Sequence, residues 1–372
     1  MSAAASPPAD AWRRRAHSLA VDEIRPVAPA IDREDRFPPH LIARLRELGF
    51  MGLGVPAAWG GTGGDTRATA AVLEELSAES AAVATLLAVH LSVAAAPILQ
   101  WGTDAQRERF LRPLADGRWL GAFGLTEPGV GSDAAQLATR YRAEGDGFTL
   151  TGNKMFITNA ASADLLLVFA TRDPALGHRG ISCFLLPKGA KGFGIAQHLD
   201  KLGLRGTETN EVVLDGVHLD QASLLGPEGD GLKVALSALA GGRVGIAACA
   251  LGVARAALEE MQRCARGAPS DGRRAAVARA WVDVAAARAL VDEAAARKDA
   301  GVPYEDAASA AKLFASTAAV RIASTGVDLA GPEGTLADAT AGRLLRDARV
   351  FPIVEGTTEI QELILGRTLV GR

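Results

Sequence analysis

One carboxylate near the end of the chain, Glu355, has a local sequence that suits a catalytic base. The apolar run 350–354, VFPIV, leads into Glu355, and Gly356 follows it. Thr358 and Gln361 then stand at capping-box spacing, which predicts a helix that starts at Thr358. A carboxylate between an apolar segment and the positive end of a helix can lose its hydration, which raises its pKa toward a general base's range. The spacing fits a surface glutamate before a helix equally well.

A second candidate site is the glycine-rich segment 123–133, FGLTEPGVGSD. Its glycines and proline predict a tight loop with exposed backbone N–H groups, and Thr126 and Ser132 add hydroxyl groups. This inventory suits a flat heteroaromatic ring with a phosphate tail, and it also suits an ordinary strand connection. The segment 153–159, NKMFITN, follows one hairpin later and places a second aromatic and hydroxyl pair nearby.

Other chemistries have little support in the sequence. The six histidines show no paired metal-ligand spacing, so no metal site is predicted. The chain contains no GxSxG nucleophile motif and no P-loop lysine. The dinucleotide fingerprint GxGxxG is also absent after any predicted strand, which argues against a nicotinamide enzyme of Rossmann type.

Composition narrows the class of protein further. The chain has 372 residues, 48% hydrophobic residues and a net charge of -3, with no basic surplus and only five Trp and two Tyr, so a nucleic-acid platform is not expected. Three widely spaced cysteines predict reduced thiols in a cytoplasmic compartment. The apolar run 81–99 is mostly alanine and lacks basic flanks, so we interpret it as a buried helix rather than a membrane span.

The elements that must position these residues fall into three parts. Helical periodicity runs from 11 to about 115, short alternating strands with turn signals such as GDG at 145–147 follow, and Ala-rich helices resume at 232. The last helix is expected to bury Ile360, Leu363 and Ile364. The prediction is an α+β protein with an N-terminal helical domain, a middle β-barrel or sandwich domain and a C-terminal four-helix-bundle domain. The expected domain boundaries are 1–120, 121–227 and 228–372.

This order of segments resembles the acyl-CoA dehydrogenase family, which is flavin-dependent and built as helices, β-barrel and helices. The resemblance runs over nearly the whole chain. Its two signature regions are the 124–133 loop and the 328–355 region, which occur in the order typical of the family. Shorter matches include DRE at 32–34, LGFMGLGVP at 48–56 and WGG at 59–61.

The resemblance implies an FAD site shared between the β domain and the C-terminal helices. Thr126 and Thr158 would bond the polar edge of the flavin ring, and segment 328–332 would contact the FAD of a neighbouring subunit. The implied cofactor-binding residues are Phe123, Leu125, Thr126, Gly131, Ser132, Phe156, Ile157, Thr158, Asp328, Gly331, Thr357 and Glu359.

The resemblance also implies the reaction. Glu355 falls on the catalytic base that removes the α-proton of an acyl-CoA thioester, while flavin N5 takes the β-hydrogen as hydride and a trans-2-enoyl-CoA forms. Ser132, Arg243 and Gly356 are the implied substrate-binding residues. An electron-transfer flavoprotein would reoxidise the cofactor. The expected protein is a bacterial cytoplasmic homotetramer or homodimer, since part of each flavin site would come from a neighbouring subunit.

Two departures from the family pattern keep alternatives open. The acid that usually precedes the substrate arginine by three residues is Ala240, which favours an acyl group on a carrier protein as an alternative substrate. The segment 264–274 is shortened and lacks the usual Phe and Gln, which favours a flavin-poor paralogue that acts as a binding subunit. A monooxygenase on the same fold is a further alternative, but such members need no carboxylate base at 355.

Overall fold

The computed structural model describes residues 8–371, so residues 1–7 and Arg372 of the predicted domains lie outside it. The first part of the described chain is helical, as predicted. Short π-helical stretches, such as His90–Ala95, continue the helices that precede them. The α-helices of this part are α1 Ala9–Leu19, α2 Ala28–Glu34, α3 Pro39–Glu47, α4 Thr66–Glu79, α5 Ala81–Val89, α6 Ala96–Trp101, α7 Asp104–Gln106 and α8 Arg112–Ala115.

Two helical stretches are long and apolar enough to cross a membrane, judged by length and composition alone. They are Ala81–Trp101 and Gly231–Gly267, and 83% and 78% of the residues in their most apolar windows are buried inside the protein. Their apolar side chains contact other helices of the core. This burial agrees with the interpretation of the 81–99 run as a core helix.

The middle part of the chain forms one mixed sheet of eight strands with the order β6-β7-β3-β2-β4-β5-β8, and β1 pairs with β4. β1 and β2 run parallel to β4, and the remaining pairs are antiparallel. β4 and most of β5 are buried on both faces, which explains their continuous apolar runs. The strands are β1 Gly121–Gly124, β2 Arg140–Glu144, β3 Gly147–Thr158, β4 Leu165–Thr171, β5 Ile181–Pro187, β6 Phe193–His198, β7 Thr209–Asp220 and β8 Leu224–Leu225.

The last part of the chain is helical again, and the predicted α+β class is confirmed. The helix α9 lies at the centre and packs against α4, α10 and α11. Its small residues permit close approach: a Cβ atom at Gly252 would overlap the carbonyl oxygen of Glu74 on α4. These helices are α9 Gly231–Gly267, α10 Asp271–Asp299, α11 Glu305–Ala330, α12 Thr340–Ala348 and α13 Thr358–Val370.

Helix α13 differs from its prediction in two respects. Its N-cap is Thr357 rather than Thr358, and the Thr357 hydroxyl accepts from the N–H of Ile360 at 3.4 Å. The predicted buried stripe is wrong, because Gln361 is the one fully buried residue of the helix and Leu363 is 52% exposed. Gln361 is buried because its side chain folds back onto the loop that carries Glu355.

Candidate active site

The loop between α12 and α13 holds Glu355 in a backbone conformation that L-residues rarely adopt. Glu355 has a φ of 53° and Gly356 a φ of 99°. Two side chains hold this turn in place. Lys312 Nζ, from α11, donates to the carbonyl oxygens of Gly356 at 2.5 Å and Pro352 at 3.2 Å, and Gln361 Nε2 donates to the Gly356 carbonyl at 3.0 Å. Surrounding contacts therefore support the left-handed turn.

The Glu355 carboxylate is buried without a hydrogen-bond partner. The residue as a whole is partly exposed, but both of its carboxylate oxygens are buried and neither accepts a hydrogen bond in the described part of the chain. The carboxylate packs against the backbone of α9 at Gly242, where a Cβ atom would overlap Oε2. Glycine at 242 therefore makes room for the carboxylate.

The electrostatics of this pocket favour the neutral form of the acid. Loss of hydration raises the pKa of Glu355 to about 8, although the positive charges of Arg243 and Lys312 oppose that rise. Neither cation forms a salt bridge with Glu355 within the described residues. Arg243 is buried, and within the described residues its side chain makes one hydrogen bond, a long contact of 3.5 Å to the hydroxyl of Ser309. Burial also lowers the pKa of Arg243.

On the β domain, a buried ion pair fixes the glycine-rich loop to β3. Lys154 Nζ lies 2.7 Å from Glu127 Oε1, and the two side chains are 0% and 5% exposed. Glu127 also accepts from the backbone N–H groups of Ala138 and Thr139. One residue away, the N–H of Met155 donates to the carbonyl of Thr126 at 2.8 Å. These contacts fix the position of Thr126 beside β3.

The surface formed by this loop and β3 fits a flat ring. Phe156 is 65% exposed and has a φ of 60°, at a register shift of β3 against β7. The hydroxyl groups of Thr126, Ser132 and Thr158 donate to no acceptor among residues 8–371. A Cβ atom at Gly131 would meet no atom within 4 Å, so the loop has open space around it. An exposed aromatic side chain with free hydroxyls is suited to a flavin.

The other predicted cofactor residues have different positions. Leu125 and Ile157 have buried side chains that belong to the apolar cores of the fold, and only their backbones can contact a ligand. Phe123 is partly buried and packs against Phe169 with 4.9 Å between ring centroids. Thr357 caps α13, and the adjacent Glu359 is exposed. This segment follows directly after Glu355.

Asp328 and Gly331 lie at the C-terminal end of α11, whereas Lys312 lies in the N-terminal half of this helix. Asp328 is exposed near the C-terminal end of α11, and Gly331 ends this helix with a φ of 67°. The shortened segment 264–274 comprises the end of α9, the connection 268–270 and the start of α10. Arg273 donates to the carbonyl of Cys264 there. Arg273 is thus engaged locally.

Sequence reasoning missed the residues that support Glu355. Lys312 is fully buried on α11 among Ala308, Ala311 and Ala315. A lysine on the apolar face of an alanine-rich helix is unusual, and this pattern is a usable signal. Gly242 gives no such signal, because its importance depends on a loop that is distant in sequence. Residues 8–371 contain no group of three or more His, Cys, Asp or Glu residues that could hold a metal ion.

The molecule combines a buried, unpaired acid with an exposed aromatic and hydroxyl surface on the β domain, as in an oxidoreductase that removes a proton beside a flavin. Comparison with known proteins agrees. Three family models match: Acyl-CoA dehydrogenase, N-terminal domain, at residues 6–118, middle domain at 122–217 and C-terminal domain at 229–370. The chain belongs to the acyl-CoA dehydrogenase family.

Individual relatives are similar over their whole length. An acyl-CoA dehydrogenase of Bacillus subtilis is 41% identical over 367 residues, covering 96% of this chain and 97% of the relative. The structure of butyryl-CoA dehydrogenase from Megasphaera elsdenii has a TM-score of 0.95 and 36% identity, covering 100% of both chains. A chain in a structure named for the electron transferring flavoprotein of Acidaminococcus fermentans has a TM-score of 0.96 and 34% identity, again covering 100% of both.

These matches confirm the predicted family, the enzyme class and FAD as cofactor. They leave no support for a flavin-poor binding subunit. The exposed Phe156 ring and the free hydroxyls beside it fit the flavin of FAD.

Proposed function

We propose that this chain dehydrogenates short acyl-CoA thioesters to trans-2-enoyl-CoA, with Glu355 as the base that takes the α-proton. The single observation that carries this proposal is the buried carboxylate of Glu355, which has no hydrogen-bond partner in the described chain and a pKa raised to about 8. A carboxylate held purely for structure is normally paired or hydrogen-bonded. An unpaired one near neutral pKa is suited to accept a proton from carbon.

The residues around Glu355 are suited to two tasks in the proton transfer. Arg243 and Lys312 contribute positive charge that stabilises the ionised base without forming a salt bridge to it. The backbone N–H of Glu355 donates no hydrogen bond within the described residues, so it is free to donate to the thioester oxygen. A donor at that oxygen stabilises the negative charge that develops there when the α-proton leaves.

FAD would be held by the surface around Phe156 and by the hydroxyls of Thr126, Ser132 and Thr158. When bound, the cofactor supplies the acceptor for the hydride from the substrate's β-carbon. Ser132, Arg243 and Gly356 would contact the substrate. Asp328, Gly331, Thr357 and Glu359 would contact the nucleotide portion of FAD, the first two from a neighbouring subunit.

The finer assignments follow from the relatives. The name of the Megasphaera elsdenii relative supports a short acyl chain, and the flavoprotein named in the Acidaminococcus fermentans structure supports an electron-transfer flavoprotein as electron acceptor. We place the enzyme in the bacterial cytoplasm as a homotetramer or homodimer. Exposed apolar residues on α13 support an assembly, since Leu369 and Val370 are 80% and 87% exposed. The domain division at 120 and 227 belongs to the same proposal.

An anaerobic titration tests the function. The purified protein should show the visible absorbance of bound FAD, and butyryl-CoA should bleach it, because a reduced flavin remains when no acceptor is present. The series should run from butyryl- to palmitoyl-CoA, with bleaching fastest at the short end. A flavin that stays oxidised with every acyl-CoA would exclude the proposal.

A carrier-protein thioester remains the second candidate. Ala240 is a buried residue on α9, three residues before Arg243, and it offers no charge to the CoA portion of a substrate. Matched butyryl thioesters of CoA and of an acyl carrier protein separate the two. A larger kcat/KM for the carrier-protein thioester would assign the enzyme to that substrate.

A further inference from the structure

A cavity of about 350 Å³ lies beside α9, between this helix and the N-terminal helices. Its apolar lining includes Leu73, Ala88 and Val244. Its polar lining includes Lys298 and Tyr304, together with the carboxylates of Asp65 and Asp299. An apolar cavity with one ammonium group, whose two carboxylates are engaged by the N-terminus of α4, is suited to a ligand that has an apolar body and an anionic end group.

Lys298 brings to this cavity an ammonium group that has no ion-pair partner within the described residues. Its ammonium makes no hydrogen bond and no salt bridge within the described residues, and it lies 5.7 Å from the centroid of the Tyr304 ring. Burial lowers the pKa of Lys298. The Tyr304 hydroxyl likewise donates to no acceptor in the described part of the chain. The polar lining of the cavity therefore offers two unused donors.

The acidic groups nearby are already engaged elsewhere. Asp299 accepts hydrogen bonds from the N–H groups of Thr66 and Arg67 at 2.7 and 3.2 Å, and Asp65 accepts from the N–H of Ala68 at 2.7 Å. Both carboxylates thus cap the N-terminus of α4. Neither forms a salt bridge with Lys298.

The Lys298 ammonium lies close to the catalytic carboxylate along α9. A Cβ atom at Gly241 would be 2.9 Å from Lys298 Nζ, and one at Gly242 would be 2.6 Å from the carboxyl carbon of Glu355. Consecutive Cα atoms lie about 3.8 Å apart, so the ammonium and the carboxyl carbon are separated by at most on the order of 12 Å. A hydrogen bond of about 3 Å at the ammonium and a reacting contact of about 3 Å at the carboxylate leave at most about 6 Å, which a short acyl chain spans.

We propose that Lys298, with Tyr304, binds a carboxylate at the far end of the acyl chain, so that the enzyme prefers acyl-CoA substrates with an anionic terminus. This inference rests on the proposed dehydrogenation and specifies its substrate class. The ammonium and the phenol hydroxyl both donate to the carboxylate, and the apolar wall contacts the methylene groups. An acyl chain that ends in a methyl group leaves both donors unpaired, which costs binding free energy.

The test compares adipyl-CoA with hexanoyl-CoA, which share a chain length and differ in the terminal carboxylate. In the wild-type enzyme, kcat/KM measured by flavin bleaching should be larger for adipyl-CoA than for hexanoyl-CoA. Lys298→Met keeps the length of the side chain and should lower the adipyl-to-hexanoyl ratio about tenfold or more, because hydrogen bonds to charged groups are strong. Lys188→Met, in the exposed turn after β5, is the matched control and should leave the ratio unchanged.

Binding without turnover separates this proposal from the proposed function. In the Glu355→Gln background, calorimetry should show tighter binding of adipyl-CoA than of hexanoyl-CoA, and Lys298→Met should abolish the difference. Equal binding of the two thioesters, or a ratio that Lys298→Met leaves intact, would overturn the anionic subsite even if both substrates bleach the flavin. If the binding preference is present but neither thioester bleaches, the subsite stands and the dehydrogenation fails.

Discussion

Two buried groups of charges in this molecule are arranged in opposite ways. Beside the glycine-rich loop 123–133, Lys154 and Glu127 form a 2.7 Å ion pair, and the carboxylate also accepts from two backbone N–H groups. Under α9, Glu355 has two cations nearby, Arg243 and Lys312, yet its carboxylate oxygens accept no hydrogen bond in the described chain. Both places bury a carboxylate together with cations, but only Glu127 forms an ion pair.

The pKa values follow this difference. Lys154 and its hydrogen bonds hold the pKa of Glu127 below its usual range despite its burial, so Glu127 stays ionised. Burial dominates at Glu355 and raises its pKa to about 8. A paired carboxylate stabilises a loop, whereas an unpaired one near neutrality is ready to exchange a proton. The two lysines differ in the same way. Lys154 binds the carboxylate of Glu127, whereas Lys312 donates to backbone carbonyl groups and leaves the carboxylate of Glu355 unpaired.

Removing the unpaired acid should have the largest effect. Glu355→Gln should lower kcat about 100- to 10,000-fold, the range typical of a lost general base. It should leave the FAD content unchanged, because no FAD contact is proposed for this side chain. Stopped-flow bleaching with butyryl-CoA measures the loss. Glu362→Gln, at an exposed glutamate on α13 with no proposed role, serves as the control and should retain activity near the wild-type level.

The pH dependence should carry the same signature. Only the ionised carboxylate accepts the proton, so kcat/KM of the wild type should rise with pH and level off above about 8. If kcat/KM instead rose around the ordinary pKa of a glutamate, Glu355 would not be desolvated in solution, and the contrast with Glu127 would disappear.

A substitution that displaces the Glu355 carboxylate without removing it should have the next largest effect on activity. Gly242→Ala adds a methyl group where Oε2 of Glu355 lies, so the carboxylate must move. A displacement of about 1 Å from the reacting atoms can cost about 100-fold in rate. The helix itself should gain slightly in stability, since alanine has the higher helix propensity. Gly366→Ala on α13 meets open space and is the control. Full activity in Gly242→Ala would show that activity does not depend on the space that Gly242 leaves for the Glu355 carboxylate.

Removing the cation beneath the loop should reduce activity less, about tenfold, and should also move the pH profile. The Lys312 charge lowers the pKa of Glu355, so Lys312→Met should shift the rising limb of kcat/KM to higher pH. Gln361→Leu removes the neutral donor to the same Gly356 carbonyl and should leave the limb in place. Equal pH profiles for the two variants would reduce Lys312 to a structural role.

Changes to the Lys154–Glu127 ion pair should lower the free energy of unfolding rather than alter proton transfer. Lys154→Met leaves Glu127 as a buried, uncompensated charge and should cost about 3–5 kcal/mol of unfolding free energy. Replacing both partners, as Lys154→Met with Glu127→Leu, should recover most of this loss. Denaturant unfolding measures both. A shifted pH limb in the double variant would contradict the assignment of this pair to structure alone.

Much of this architecture can be predicted from the sequence, because it depends on local patterns and on family motifs. The order of helices, strands and helices follows from periodicity, and Glu355 stands out through the apolar run before it and the helix after it. The glycine-rich loop at 123–133 stands out through its composition. The details of α13 could not be predicted, since Gln361 is drawn into the core by the Gly356 carbonyl rather than by helix-capping rules.

The sequence by itself determined the family, and it singled out Glu355 as the proposed base and the residues that could line a flavin. Tertiary structure alone decided which buried charges pair. Lys312 is separated from Glu355 by 43 residues and Gly242 by more than a hundred, and their roles depend on how α9 and α11 pack around one loop. A pKa depends on the three-dimensional surroundings of a group, and spacing along the chain does not encode those surroundings.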